Sequence, residues 1–431
     1  MRLSFILAAI PRQLYKPPTL KVLLATVFLW LLAYEYCRHR YWRDPHSAFF
    51  NDRHVYDWKY SLHREHEARR LITAHNAPSA LAEPVKAGAN PLICAVIVTV
   101  NRGTDDYFDA SIGSLLAGLD ERERRALQLN IVFADTDPSR HPSWGQKWVN
   151  RLADQAGSYD VSRTRLQHLQ DLEQARNFYE KGVFDYIHAL NSCQATNAPY
   201  TAVFEDDVIF ADGWMAKTVK ALADIYHRPK QTPWIYLRLF YTETSLSWSS
   251  SDFAYRNMHL IFLLGMLFSF TILLSIRRLR LHGHSHLHNT TIIILTLLST
   301  PCFIALTYMI GKYSLMPLHG VVEMNAHGCC TQGLVFPREQ ISGLIGYLVE
   351  RNDGQTDALI EEYADKEDLM RYALAPQQLQ HVGLKSSRGN PEVNTQSTWA
   401  FWYEENDPGV LGGEHQGLLG DRDVRGFLDG R

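Results

Sequence analysis

The sequence predicts an α/β domain interrupted by membrane-spanning helices. Three observations lead there. Short apolar runs rich in β-branched residues alternate with stretches of helical spacing. Three longer apolar segments approach or reach the length that crosses a bilayer. Two of these three, joined by a short basic loop, interrupt the alternating pattern instead of following it.

The elements follow in chain order. Residues 1–18 read as a cytosolic tail and 19–37 as an uncleaved anchor, since no small-residue cleavage site follows Tyr34. Residues 38–90 read as a stem, with helix from about Asp57 to His75. The first part of the α/β domain then covers 91–256. Leu92–Val100 is a continuous apolar run, suited to a strand buried on both faces, and Leu129–Asp135 is a second. Between them, Ile112, Leu115, Leu116 and Leu119 recur at helical spacing, which makes a βαβ unit and a parallel sheet. A long helix is expected over Leu169–Ala195, a strand at Thr201–Phe204, a helix at Gly213–Tyr226 and a strand at Trp234–Phe240.

Residues 257–311 read as a membrane hairpin built from Met258–Ile276 and Thr290–Ile310. Arg277, Arg278 and Arg280 in its loop place that loop in the cytosol and the flanking regions in the lumen. The loop histidines, His282, His284, His286 and His288, read as part of a solvated basic turn. The sequon at Asn289 then stays unmodified at the cytosolic face. The second part of the domain, 312–387, holds a strand in Cys329–Pro337 and helices at Arg338–Glu350 and Thr356–Leu374. Residues 388–431 are polar and Gly-rich and read as a tail whose end is loosely ordered.

A net charge of −3 over 431 residues argues against nucleic acid as a partner. Of six cysteines, Cys94, Cys193, Cys329 and Cys330 would face an oxidising lumen. Adjacent Cα atoms lie about 3.8 Å apart, below the usual disulfide range. A strained Cys329–Cys330 bond, a bond from one of them to Cys193, and free thiols all stay open.

The stretch "TAVFEDDVIFADGW" carries the chemistry. Glu205, Asp206 and Asp207 stand between two apolar runs, where carboxylates are costly without a counter-charge. The order strand, acids, helix puts them at the carboxyl end of a strand, the ligand-binding edge of open α/β sheets. Side chains alternate along an extended backbone, so Glu205 and Asp207 share one side as metal ligands. Asp206 faces the other, to contact a sugar or orient a neighbour. Mn²⁺ or Mg²⁺ is the expected ion, shared with phosphate oxygens.

The arrangement resembles a GT-A (Rossmann-like) glycosyltransferase. More closely, the chain resembles the post-GPI-attachment GalNAc transferase family over about Leu20 to Ser387. The carriers are "VTVNR", "FEDDVIFADGW", the hairpin after "WIYLRLFY", "GCCTQGLVFPR", "TDALIEEY" and "QHVGLKSS". The EDD and "QHVGLKSS" segments are also similar to the N-acetylglucosaminyltransferase IV family, which lacks a hairpin. The first resemblance implies a lumenal Golgi membrane enzyme with a GT-A domain split by the hairpin. It would use a UDP-sugar, UDP-GalNAc, and a GPI-glycan mannose as acceptor, with inversion.

By position, Val100, Asn101 and Arg102 would line the uridine and diphosphate pocket, and Asp135 would bond the nucleoside. Both sets also suit plain strand-end turns. Lys181 would either reach the donor or stay a solvated helix residue. Thr331 and Gln332 would contact the donor sugar, although the family commonly has Pro where Gln332 stands. Asp357 would be the general base, unless it is a helix cap, with Glu361 and Glu362 as alternatives. His381 would ligate metal or phosphate, and Lys385 would offset phosphate charge. The competing functions are an N-glycan GlcNAc transferase and a membrane scaffold or transporter. The last leaves the EDD without a role and has no intramembrane acid for a transport path.

Overall fold

The computed structural model describes residues 17–77, 83–103, 107–324, 330–383 and 398–430. Cys329 and Lys385 lie outside the described residues. The chain divides into two compact units.

The first unit comprises Met1–Val55 and Thr244–Pro317. Among the described residues it contains three helices long and apolar enough to cross a membrane: Thr19–Arg40, Met258–Arg278 and Asn289–Met309. Small polar groups join the first to the third. Thr26 and Ser299 share a hydroxyl bond of 2.9 Å, and the Trp30 indole donates to the Cys302 carbonyl at 3.2 Å. The third helix carries a π-helical turn at Leu295–Ser299, which ends at the Ser299 bonded to Thr26.

The second unit comprises Tyr56–Glu243 and Leu318–Arg431. Its core is an eight-stranded sheet: β1 (Ile93–Thr99), β2 (Leu127–Phe133), β3 (Gln155–Gly157), β4 (Tyr200–Glu205), β6 (Trp234–Arg238), β7 (Gly320–Glu323), β8 (Gly333–Pro337) and β9 (Met370–Ala375). The spatial order is β3-β2-β1-β4-β8-β6-β9-β7. β5 (Val208–Phe210) and β10 (Leu379–His381) form a separate antiparallel ribbon. Strands from before and after the apolar helices thus share one sheet.

β1 shows why its sequence is apolar without alternation. Ile93, Ala95 and Ile97 pack on one face with Phe108, Ile112 and Leu115. Cys94 and Val96 pack on the other with Ala189, Leu190 and Cys193. A Cys94–Cys193 disulfide joins β1 to the Phe178–Gln194 helix. Cys193 is therefore closed to Cys330, which is itself disulfide-bonded.

The sheet corrects several expectations. It is mixed, because β8 runs antiparallel between β4 and β6. The stretch Thr356–Leu374 is not one helix: the helix ends at Lys366, Asp368 turns at φ 51°, and Met370 starts β9. Long-range pairing of β9 with β6 and β7 overrides its local helical pattern. The long helix over Leu169–Ala195 is two, broken at Arg176 with φ 56°. The loosely ordered tail is also overturned. Pro408–Gly420 and Arg422–Leu428 are helices, and Trp399 and Phe401 are fully buried. Part of the expected stem belongs to the domain as well. On the Tyr60–Asn76 helix, buried Arg64 donates to the carbonyls of Phe210, Ser114 and Ala117.

Candidate active site

The EDD sequence ends β4 and leads into β5. The short ribbon is what completes the site. His381 of β10 pairs with Val208, and the Val382 amide donates to the Asp207 carbonyl at 2.9 Å. This carries the His381 imidazole to the acids from 174 positions later in the chain. Its Nε2 lies 3.4 Å from Asp207 Oδ2. Ligand atoms of Glu205, Asp207 and His381 all fall within 4.8 Å of one another, the one such group among the described residues. Gly383 lies two residues beyond His381, and a Cβ there would collide with the Asp207 carboxylate.

Asp206 is turned toward the end of β1. It accepts from the Thr99 hydroxyl at 2.7 Å, the Val100 amide at 3.4 Å and Arg102 Nη2 at 2.5 Å. Arg102 Nη1 also reaches Asp207 at 3.1 Å. Thr99 and His141 extend this chain and carry no sequence signal of their own. The Ser143 amide donates to His141 Nδ1, so Nε2 bears the proton and donates to Thr99 Oγ1 at 2.9 Å. The Thr99 hydroxyl then donates onward to Asp206.

Two buried carboxylates, Asp206 and Asp207, and the half-buried Glu205 thus face one guanidinium and one imidazole. Burial, then the Asp207 charge, raises the Glu205 pKa, and burial also raises Asp206. For Asp207, burial is outweighed by His381 and Arg102, which hold its carboxyl well below the usual range. In return Asp207 raises His381 against the opposing effect of burial. Asp207 Oδ1 and His381 Nδ1 are buried without a hydrogen-bond partner among the described residues. Two carboxylates and an imidazole with such orphaned atoms fit a divalent ion of the Mn²⁺ type.

The remaining sequence-predicted residues divide. Asn101 donates its amide to Asp135 Oδ2 at 2.8 Å, linking the ends of β1 and β2. Burial raises the Asp135 pKa. Lys181 is buried, not solvated. Its ammonium bonds the Ala134 carbonyl, Tyr159 hydroxyl and Asp185 carboxylate at 2.6, 2.8 and 3.0 Å. Those three bonds use its three protons, so it braces the wall behind Asp135 and offers no free donor to a ligand. Thr331 donates to Glu205 Oε1 at 2.6 Å. Gln332 is buried, accepts from the Glu205 amide through its carbonyl at 3.3 Å, and keeps a side-chain oxygen without a partner among the described residues.

Asp357 is not the cap of its helix. That position is Gln355, and Asp357 lies one residue inside, half-buried. Its carboxylate accepts from the Ala358 amide at 2.9 Å and the Cys330 amide at 3.4 Å. Glu361 is excluded as a base, because Tyr236, Arg238 and Arg371 occupy both its oxygens. Glu362 is exposed and paired with Tyr347 and Arg351. Residues 330–332 therefore run between Glu205 and Asp357.

The profile of the family described as GPI-N-acetylgalactosamine transferase PGAP4 matches residues 93–380, more than half of the chain. The chain belongs to this family. Among curated proteins none matches it. The match starts in β1, passes through the apolar helices and ends in β10, one residue before His381. Membership makes the protein a sugar-transferring enzyme. The GPI-N-acetylgalactosamine transferase family thus accounts for the EDD more economically than a scaffold or a transporter does.

Proposed function

We propose that the chain transfers GalNAc from UDP-GalNAc to a mannose of the GPI-anchor glycan, with inversion, in the lumen of the Golgi. We read its α/β domain as a GT-A domain split by the membrane hairpin. The observation that carries this reading is the close set of half-buried Glu205 with buried Asp207 and His381 at the carboxyl end of β4. A Mn²⁺ or Mg²⁺ ion held there would offset negative charge on the departing diphosphate.

The chain's own residues do the rest. Asp206 fixes Arg102 in its fork geometry, and Arg102 adds a permanent positive charge beside the phosphate side of the site. Asp135, held by the Asn101 amide, presents a carboxylate to the nucleoside. Gln332 offers its unpartnered oxygen to the sugar. Asp357, half-buried and without an ion pair among the described residues, takes the acceptor hydroxyl proton as that oxygen attacks the anomeric carbon. The apolar helices keep the enzyme in a membrane, where a lipid-linked acceptor is found.

Purified protein with a panel of UDP-sugars, Mn²⁺, and GPI or N-glycan acceptors tests the reading. GalNAc transfer to GPI is expected, abolished by EDTA and by Asp207→Ala. Activity unaffected by both would remove the metal mechanism, and preference for UDP-GlcNAc with N-glycans would move the substrate assignment.

A further inference from the structure

Arg238 is the last residue of β6 and is 1% exposed. A buried guanidinium needs counter-charge and acceptors, and these are supplied from the other side of the apolar helices in sequence. Nη2 donates to Glu361 Oε1 at 2.7 Å, while Nη1 donates to the Cys330 carbonyl at 2.5 Å. The Tyr236 ring lies under the guanidinium at 4.6 Å, and the Tyr236 hydroxyl donates to the same Glu361 oxygen at 2.5 Å. Arg371 holds the other Glu361 oxygen at 2.5 Å and also pairs with Asp365.

The two arms of Arg238 have different consequences. Glu361 is shared with Arg371, so charge neutralisation alone does not require Arg238 to reach further. The second arm grips the segment that touches both halves of the chemistry. The Cys330 amide meets Asp357, the Thr331 hydroxyl meets Glu205, and the Gln332 carbonyl meets the Glu205 amide. Cys330 has a φ of 86°, a backbone conformation a non-glycine residue keeps only when its surroundings impose it.

We propose that Arg238 is a positioning residue for sugar transfer: by holding the Cys330 carbonyl it sets the 330–332 segment, and so fixes Glu205 and Asp357 relative to each other. It does so from a strand that precedes the membrane helices, onto a segment and a helix that follow them. This rests on the roles given above to Glu205 and Asp357. Displacements of about 1 Å between reacting groups cost up to roughly 10²-fold in rate. Loss of the clamp therefore acts on kcat and on metal activation, not only on stability.

The test compares two lysine variants of the full-length enzyme. Arg238→Lys keeps a positive charge for Glu361 but lacks the fork that spans to Cys330. Arg371→Lys disturbs the same carboxylate and does not touch Cys330. With kcat expressed per folded protein, Arg238→Lys is expected to lose about tenfold or more and to need more Mn²⁺ for half-activation. Arg371→Lys is expected to keep both values, whatever its melting temperature. If Arg238→Lys does not fold, Arg238→Gln is compared with Arg371→Gln, which removes the same charge from Glu361, at a temperature where both are folded. Equal effects in the two positions, or wild-type kcat and Mn²⁺ activation in the Arg238 variant, would overturn the proposal. If Asp207→Ala and Asp357→Asn stay active while Arg238→Lys does not, the roles of those acids fail and the clamp must act elsewhere.

Discussion

His415 lies between two carboxylates, and replacing it with Gln should weaken the fold in a way that depends on pH. Its Nε2 is 2.9 Å from Glu123 and its Nδ1 is 3.2 Å from Asp212. The contact matters for the site because Asp212 and Gly213 follow β5, the strand that continues from the acids. Gly213 sits at φ 70°, and a Cβ there would meet His415 at 2.9 Å. Burial alone would lower the His415 pKa, but the hydrogen bonds to Asp212 and Glu123 outweigh it and raise the value to about 9. A rise of that size corresponds to about 3 kcal/mol. Asp212 is 23% exposed, and screening on that side reduces the realised share to about 2 kcal/mol. The sign follows from linkage. A folded pKa above the unfolded one stabilises fully below about pH 6.5, and that contribution is lost as pH rises through about 9. Thermal melts of wild type and His415→Gln from pH 6 to pH 9.5 should therefore converge. The gap in Tm should shrink by roughly 4 °C for a domain of this size. Some gap should remain at high pH, because buried Glu123 has lost a partner. A gap that stays constant across the range would mean that the imidazole is not charged in the folded protein, and would refute the reasoning.

Three further expectations concern the site and the membrane. Asp357→Asn keeps the size of the side chain but removes the proton acceptor. It should lower kcat by roughly 10²-fold or more with UDP-sugar binding retained, and unchanged kcat would end its role as base. Gly383→Ala places a methyl group where the Asp207 carboxylate lies. It should abolish Mn²⁺ activation while the protein stays folded, and a wild-type Mn²⁺ activation curve would show that the carboxylate has another usable position. Arg277, Arg278 and Arg280 should hold the 280–288 loop in the cytosol, read by cysteine labelling and protease protection. Glycosylation at Asn289 would reverse that topology.

Much of the outline was legible because it depends on local periodicity. Uninterrupted apolar runs at 92–100 and 129–135 signal strands covered on both faces, and β1 is covered by two separate sets of side chains. The three acids stand out because carboxylates rarely interrupt such runs unpaired. Alternation alone sets Glu205 and Asp207 apart from Asp206, and Asp206 is the one turned to Thr99 and the Val100 amide at the end of β1. The apolar spans need only length and composition to be found.

What the sequence could not determine is every feature made by distant segments meeting. The antiparallel course of β8 depends on its landing between β4 and β6, and nothing in "GLVFP" encodes a direction. Met370–Ala375 becomes a strand because two partners offer backbone bonds that its helical pattern cannot match. Lys181 reads from spacing as a possible ligand contact, and only the folded surroundings show its donors already taken. His381 is the clearest case: as a lone His before Gly383 it has no partner in sequence. A three-residue ribbon then brings it to Asp207, where it completes the cluster with Glu205. Local patterns record which face a side chain takes, whereas the balance of buried charge is struck only where separate strands end at the same edge.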